Sequence, residues 1–345
     1  MDMTELTGQL CMMRGVSGHE HRISKDIAAL FAPLCDTVEI DPLGSVIACR
    51  KGTGDGGTVM MEAHMDEIGL MVKEIDENGF LYLTNIGGID ARILPANEVV
   101  VHGKTDLPGV VGAKPPHILG AEERKAALPL DKLYVDVGLS ADKVREQISV
   151  GDSITFESTP LCLAGGRLSV KSQDDRSSVG VLLSVLEQLK HVSLPFDLYA
   201  VAAVQEEVGL RGSGCAAYRI QPDFAIAIDV CHGDTPDASE NTFPLGSGAV
   251  VTKGPNIHPV LVQALTKVLD EHHIPYLIDI DGGDTGTDAW AIQIAGNGIP
   301  TLLFSLPLRY MHTPIETLQI SDLNATAQGI CRFLQSIERV GDVLC

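Results

Sequence analysis

Apolar and polar positions follow two different periods along this chain, and the change of period divides it into three stretches. Up to about residue 67 and again after about residue 162, short apolar runs typical of buried strands alternate with amphipathic segments typical of helices. Between these stretches, short alternating segments dominate, separated by Gly, Pro and Asn-Gly. The pattern predicts an α/β fold, a mostly parallel sheet flanked by helices with an inserted all-β domain. The predicted catalytic domain is residues 1–67 with 163–345, and the predicted insert is residues 68–162.

Several local signals predict individual elements. Ser17 and Glu20 have the spacing of a capping box, which predicts a helix that runs to about Leu34. Glu77-Asn78-Gly79 predicts the turn of a β-hairpin in the insert. Apolar periodicity further predicts strands at Asp197–Val204, Phe224–Asp229 and Thr301–Leu306, a helix at Val179–Leu189, and a closing helix at Leu323–Val340 with Ser321 as its N-cap.

Composition narrows the function classes. Lys+Arg number 25 and Asp+Glu 46, a net charge of −21, which disfavours nucleic acid and anionic membranes and suits divalent cations. No apolar run reaches 18 residues, and the acidic start lacks the basic region of a secretory signal. The eight cysteines are scattered without C-x-x-C spacing, which is typical of reduced thiols. We therefore expect a cytoplasmic protein.

The stretch Ala200–Gly209 concentrates the candidate chemistry. Its apolar run resembles a strand buried on both faces and ends in Gln205, Glu206 and Glu207. Two adjacent carboxylates at the end of a buried strand need something that offsets their charge. They are either a metal ligand with an acid/base beside it or two solvated glutamates at the start of a loop.

Other predicted strands and turns end in the same kinds of side chain, and a parallel sheet brings such ends to one rim. Histidine and carboxylate donors without cysteine suit zinc, cobalt or manganese. Their number suggests two metal ions that share a carboxylate, with a spare glutamate as general acid/base. A carboxylate two residues after a ligand histidine can reach back and fix its tautomer. The candidates are His64 with Asp66, Asp174 with Asp175, Glu206 with Glu207, Asp229, and His312.

At these positions the sequence resembles the dinuclear-metal aminopeptidases of the tetrahedral (TET) type, which include glutamyl and deblocking aminopeptidases. The matching motifs, in chain order over nearly the whole sequence, are Ala63-His64-Met65-Asp66-Glu67, Asp174-Asp175-Arg176, Gln205-Glu206-Glu207-Val208-Gly209, Asp229 with Gly233-Asp234-Thr235-Pro236, and Met311-His312-Thr313.

The resemblance implies a role for each matching residue. Asp174 would bridge two divalent cations, which could be zinc, cobalt or manganese. His64 and Asp229 would complete one site, and Glu207 and His312 the other. Glu206 would be the general acid/base, and Asp66 would hydrogen-bond His64. The implied substrates are short peptides, and the implied assembly is a homo-oligomer, from a dimer up to a tetrahedral dodecamer.

Some residues keep two interpretations. Asp175 is either a ligand or a partner of Arg176 or a helix N-cap. The segment Asp279–Trp290 is either a substrate-side loop whose aspartates hold a substrate amine or a solvated turn. His102 and His117 in the insert are candidate ligands, although satisfied or solvated histidines are commoner.

Alternative functions also stay open. A related metal amidohydrolase, such as a deacylase or carboxypeptidase, would share the same cluster. A non-catalytic metal-binding scaffold would lose Glu206 or a ligand, and the sequence retains all of them. An endoglucanase is disfavoured, because glycoside hydrolysis uses two flanking carboxyl groups rather than histidine-bound metals.

Overall fold

The computed structural model describes residues 2–118, 120, 128–238 and 241–344 of the 345-residue chain. None of the helices within these residues is long and apolar enough to cross a membrane. The helices are α1 (Met3–Met12), α2 (Ser24–Phe31), α3 (Ala141–Gln147), α4 (Gln173–Leu189), α5 (Arg211–Ile220), α6 (Pro259–Glu271), α7 (Ala289–Gln293) and α8 (Ile320–Gln335).

The strands divide into a large sheet, a closed barrel and a small three-stranded sheet. In chain order they are β1 (Thr37–Ile40), β2 (Val46–Arg50), β3 (Thr58–His64), β4 (Gly69–Ile75), β5 (Leu81–Ile86), β6 (Glu98–His102), β7 (Asp106–Gly112), β8 (Tyr134–Asp136), β9 (Ser153–Phe156), β10 (Leu161–Leu163), β11 (Arg167–Ser169), β12 (Asp197–Ala203), β13 (Phe224–His232), β14 (Ala249–Lys253), β15 (Tyr276–Ile280), β16 (Thr301–Leu308) and β17 (Thr317–Gln319).

The large sheet has the strand order β1-β2-β12-β3-β13-β16-β14-β15. Its centre is parallel, because β12 and β13 flank β3 in parallel and β16 continues parallel to β13. Side chains on both faces of β3 are buried, with α4 and α5 both in contact with this strand. This coverage explains the continuous apolar runs of the central strands and confirms the predicted α/β class.

The six strands from β4 to β9 form the barrel, in the order β4-β5-β8-β7-β6-β9. Its interior is a separate apolar cluster that includes Leu70, Leu81 and Val101. The predicted hairpin is present, since β4 pairs antiparallel with β5 on either side of Gly79, whose φ is +95°. The all-β insert is therefore confirmed as a fold element, and the boundary at residues 68–162 stays a prediction.

Three local predictions were wrong. Ser17 and Glu20 do not cap a helix to Leu34, because α2 begins at Ser24 and ends at Phe31, and both side chains hydrogen-bond distant segments instead. Helix α8 begins at Ile320 and ends at Gln335, so Ser321 lies inside it rather than at its N-cap. Strand β13 continues three residues past Asp229 to His232, where pairing with β16 extends it.

Candidate metal centre

Four neighbouring strands bring the predicted residues together at one rim. His64 is the last residue of β3 and lies opposite Ala203 of β12, which leads directly into Glu206 and Glu207. Asp229 lies in β13, next to β3, and His312 follows β16 by four residues. Asp174 reaches the same rim from the start of α4.

The carboxylate of Asp174 lies between two histidines. Its Oδ1 is 3.1 Å from His64 Nε2, and its Oδ2 is 3.2 Å from His312 Nε2. A second carboxylate contacts the same His312 Nε2 atom, since Glu207 Oε1 lies 3.3 Å from it. The two oxygens of Asp174 therefore face different histidines.

Potential metal ligands converge in two clusters that share Asp174. In each cluster the donor atoms lie within 4.8 Å of one another. One contains His64, Asp174 and Asp229, and the other contains Asp174, Glu207 and His312. A third overlapping cluster joins His64 with Glu206 and Glu207. The grouping matches the pairing that the family resemblance implies, while the roles of the individual residues remain predictions.

Asp66 connects the two strand ends that carry His64 and the glutamates. Its Oδ1 is 3.5 Å from His64 Nδ1 and accepts the backbone N–H of Glu206 at 3.1 Å. Its Oδ2 accepts the N–H of Glu207 at 3.3 Å and the hydroxyl of Ser17 at 2.6 Å. The fully buried carboxylate thus faces the imidazole and holds the backbone of both glutamates.

The turn that presents the glutamates depends on a second carboxylate, which sequence analysis assigned to a helix cap. Gln205 has a φ of +58°, in the left-handed region that non-glycine residues rarely adopt. Its N–H donates to Glu20 Oε1 at 2.9 Å. Burial and the nearby Asp66 raise the pKa of Glu20 to about 7.

Glu316 holds two of the candidate ligands and was not identified from the sequence. Its Oε2 accepts the N–H of Asp174 at 3.0 Å, and its Oε1 accepts the N–H of His312 at 2.8 Å. Burial and the neighbouring Asp174 raise its pKa well above the usual range. The only signal for it was its position four residues after His312, which is not a recognisable motif.

Beside the centre, a buried ion-pair network joins the segment after His64 to the start of α4. Glu67 pairs with Lys171 and, at 3.2 Å, with Arg176. Arg176 also donates to the carbonyl oxygens of Met65 and Gly15. Arg176 therefore does not pair with Asp175, although such a pair was one of the two structural roles expected for that aspartate.

Asp175 is a buried acid that lies outside the candidate clusters. Burial and the charge of Asp229 raise the pKa of Asp175 well above its usual range. Burial and Asp288 raise the pKa of Glu62 in the same way, and Asp288 accepts a hydrogen bond from Ser213. Asp175 does not belong to any metal cluster formed by the described residues.

The histidines of the insert lie apart from this centre. His102 Nδ1 is 2.8 Å from Asp106, and its Nε2 is 3.0 Å from Thr155, so its ring is satisfied within the barrel. His117 is exposed. Neither belongs to a metal cluster in the part of the chain that the structure describes.

The charge of the site fits divalent cations. Burial raises the pKa of Asp229 to about 8 and that of Glu206 to about 10, in both cases against the opposing effect of His64. Burial alone would raise the pKa of Asp174, but hydrogen bonds with His312 and His64 hold it well below the usual range. Carboxylates packed this closely favour ionisation only when cations lie among them. The nitrogen and oxygen donor set is that of zinc, cobalt or manganese.

A cavity of about 780 Å³ opens over the centre. Asp174, Glu206, Asp229 and His312 line one end of it. The segment predicted to lie on the substrate side lines the other end, since Asp279, Asp281 and residues 284–287 face the cavity. The segment therefore lies beside the cavity, and a contact between its aspartates and a substrate amine stays a prediction.

Known proteins match this chain in sequence and in fold. The family model described as M42 glutamyl aminopeptidase matches residues 44–328. A lysyl aminopeptidase of Pyrococcus furiosus is 36% identical over 341 residues, which cover 97% of each chain. The solved aminopeptidase APDkam598 of Desulfurococcus kamchatkensis is 35% identical, with a TM-score of 0.89 over 98% of each chain. The Pyrococcus horikoshii TET1 peptidase, described as assembling into a tetrahedron or a large octahedral shell, is 31% identical, with a TM-score of 0.86 over 96% of this chain and 99% of that one.

Proposed function

This chain belongs to the M42 aminopeptidase family, and from that premise we propose that it removes N-terminal residues from short peptides with two divalent cations bound at the centre described above. The observation that carries the proposal is the position of Asp174, whose two carboxylate oxygens face His64 and His312 separately. A single metal ion would not require one carboxylate to serve two sets of donors.

We assign the ligands from the two clusters. His64, Asp229 and one oxygen of Asp174 would hold the first ion, and Glu207, His312 and the other oxygen of Asp174 the second. Zinc, cobalt and manganese all suit these donors. A bound pair of such ions polarises the scissile carbonyl and increases the acidity of the attacking water.

Glu206 is the residue proposed to move the proton. Its Oε2 lies 3.8 Å from His64 Nε2, at the edge of the centre, and its side chain lines the cavity. From there it can take a proton from the attacking water and deliver it to the leaving amine. Asp66 accepts its N–H and so keeps the carboxylate aimed at the site.

Both candidate histidine ligands, His64 and His312, direct their Nε2 atoms toward the centre. Asp66 beside His64 Nδ1 favours the tautomer that carries its proton there, which leaves Nε2 free on the Asp174 side. His312 presents Nε2 to both Asp174 and Glu207, and its backbone N–H is held by Glu316. The chain itself therefore sets the direction of each imidazole.

Hydrolysis of aminoacyl-p-nitroanilides tests the proposal. We expect activity that a chelator abolishes and that added zinc, cobalt or manganese restores, and we expect Glu206→Gln to bind metal without turnover. Hydrolysis confined to N-acylated substrates would indicate a deacylase, and hydrolysis confined to C-terminal residues a carboxypeptidase. Metal binding without chelator-sensitive hydrolysis of any of these would indicate a scaffold.

Family membership also supports proposals about assembly and location. The assembly of the Pyrococcus horikoshii TET1 peptidase into a tetrahedron or an octahedral shell supports a homo-oligomer, from a dimer up to a dodecamer, in which the inserted domain, residues 68–162, provides contacts. Light scattering on the purified protein tests the size. We propose a cytoplasmic location from the acidic composition and scattered cysteines. The preferred N-terminal residue is not set by membership, because relatives are described as both glutamyl and lysyl enzymes.

A further inference from the structure

The floor of the cavity is the face of the large sheet that extends from the metal centre to its edge. Asp229 of β13 lies opposite Ser305 of β16, and Ser305 lies opposite Val250 of β14. Two residues further along β14, Thr252 lies opposite Asp279 of the edge strand β15. Asp229, Ser305, Thr252 and Asp279 all line the cavity. The cavity therefore runs across four strands, from a candidate ligand at one end to an aspartate at the other.

Thr252, in the middle of this floor, has an unsatisfied polar atom. Its side chain is 1% exposed, and its Oγ1 has no hydrogen-bond partner among the described residues. A buried hydroxyl without a partner loses about 1–3 kcal/mol relative to water. Because the residue lines the cavity, rotation about its χ1 bond turns this hydroxyl toward a molecule that fills the cavity, which then supplies the missing partner. This orphaned hydroxyl points to a polar ligand beyond the metal centre.

The far wall of the cavity is acidic. Asp279, Asp281 and Asp284 line it, and no lysine or arginine is among the described residues that do so. Asp281 Oδ1 accepts the N–H of Gly283, and Asp284 Oδ1 accepts that of Gly286, so each retains a second oxygen for a ligand. Burial and the neighbouring Asp281 raise the pKa of Asp279, an unfavourable charge state that a cation would relieve.

The distance from the metal centre to the acidic wall favours a substrate whose N-terminal residue has a long side chain. Neighbouring strands lie about 4.8 Å apart, so three intervals place the backbone of β15 about 14 Å from that of β13. The scissile bond must lie at the metal centre, beside Asp229. A lysine side chain extends about 6 Å from Cα to Nζ, and the aspartate side chains at either end cover much of the remainder. A short side chain would leave the acidic wall without contact.

We propose that the acidic wall, Asp279, Asp281 and Asp284, together with the hydroxyl of Thr252, binds the basic side chain of the N-terminal residue, so that the enzyme prefers lysine and arginine. A glutamate in this position would face like charge, and an apolar side chain would leave the carboxylates and the hydroxyl unpaired. The inference rests on the aminopeptidase function proposed above and adds its substrate class.

The test compares kcat/KM on p-nitroanilides of lysine, arginine, norleucine, leucine and glutamate. Norleucine is close to lysine in length without its charge, so this pair separates electrostatics from reach. We expect lysine and arginine to exceed norleucine at least tenfold and glutamate by more. In Asp279→Asn and in the double variant Asp281→Asn/Asp284→Asn, the lysine-to-norleucine ratio should fall at least tenfold. Asp142→Asn, on the exposed face of α3, is the matched control and should keep the wild-type ratio.

Equal rates on lysine and norleucine, a preference for glutamate, or unchanged ratios in the wall variants would overturn the inference. Calorimetric binding of free L-lysine and L-norleucine to metal-loaded Glu206→Gln tests the pocket separately from turnover. Tighter binding of L-lysine that Asp279→Asn removes supports the pocket even if the protein hydrolyses no substrate, a result that would refute only the proposed function. Equal binding of the two amino acids would refute the pocket.

Discussion

Replacing Glu20 with alanine tests whether the segment before α2 determines the position of Glu206, the proposed general acid/base. The change removes the carboxylate oxygen that accepts the N–H of Gln205 at 2.9 Å. Gln205 directly precedes Glu206 and has a left-handed backbone, with φ of +58°. No other described side chain hydrogen-bonds the N–H of this residue, so the variant leaves a partly buried donor unpaired.

The magnitude follows from two terms. A left-handed non-glycine residue is about 1–2 kcal/mol less favourable than a right-handed one. A hydrogen bond to a charged acceptor contributes about 1.5–3 kcal/mol, and Glu20, whose pKa is raised to about 7, is such an acceptor when the assay is run at a pH well above this value. The hydrogen bond thus roughly balances the strain, and its loss lets the turn adopt other conformations in which Glu206 points away. Because about 1.4 kcal/mol corresponds to tenfold in rate, we expect kcat to fall on the order of 10–100-fold.

The assay is kcat at saturating substrate and metal, with metal content and the thermal midpoint measured in parallel. Glu20→Gln retains a carbonyl oxygen that can accept the same N–H and should recover most of the rate. Glu39→Ala, which removes an exposed glutamate paired with Arg219, is the control for a general loss of stability. A Glu20→Ala variant with full kcat and a lowered midpoint would refute the reasoning, because Asp66 alone would then be sufficient to hold the turn.

Other predictions concern the ligands and the buried ion pairs. Glu206→Gln should retain metal and lose about 10²–10⁴ in kcat; loss of metal by elemental analysis would make Glu206 a ligand instead. His312→Ala should lower metal occupancy, and unchanged calorimetric affinity would remove it from the ligand set. Lys171→Met should destabilise the protein by about 3–5 kcal/mol in urea unfolding, because it leaves the buried Glu67 with a single positively charged partner; an unchanged midpoint would contradict this. Burial alone would raise the pKa of Glu67, but Lys171 and Arg176 lower it to about 2 from 4.5. The ionised carboxylate therefore stabilises the fold fully above pH 4.5, and this stabilisation is lost as pH falls toward 2. In Glu67→Gln, the free energy of unfolding should no longer fall over this pH range on account of this residue.

The parts of the site that lie at strand ends were predictable from the sequence. His64 and Glu206 each follow an apolar run that would place apolar side chains on both faces of a strand. Such runs indicate a parallel sheet that is covered on both faces. The carboxyl ends of parallel strands share one rim, so residue types at those ends can be grouped before any distance is known. Asp229 lies near His64 and Asp174 although β13 continues three residues past it, because its position depends on its place in the strand next to β3 and not on where β13 ends.

The supporting residues were not predictable, because their partners are far away in sequence. Ser17 and Glu20 fit a local capping box, but their actual partners are Asp66 and Gln205, which lie 49 and 185 residues further along the chain. Glu316 has no pattern at all, since it binds backbone N–H groups, which every residue carries. Local spacing therefore identifies groups that act on substrate more readily than groups that hold those side chains in place.

The surplus of buried acid explains why the centre should couple metal uptake to proton release. Burial raises the pKa values of Asp229 and Glu207, whereas the third proposed carboxylate ligand, Asp174, lies between two histidines that hold its pKa below the usual range. A carboxyl group with a raised pKa must lose its proton before it can bind a cation, so affinity for metal increases with pH until these groups are ionised. Glu316 receives two N–H groups rather than facing the ligand clusters, and it can therefore keep Asp174 and His312 in position whether or not the neighbouring ligands are protonated. The positions of Asp174 and His312 are in this way set by folding, and the charge state of the centre is set by the cations it takes up.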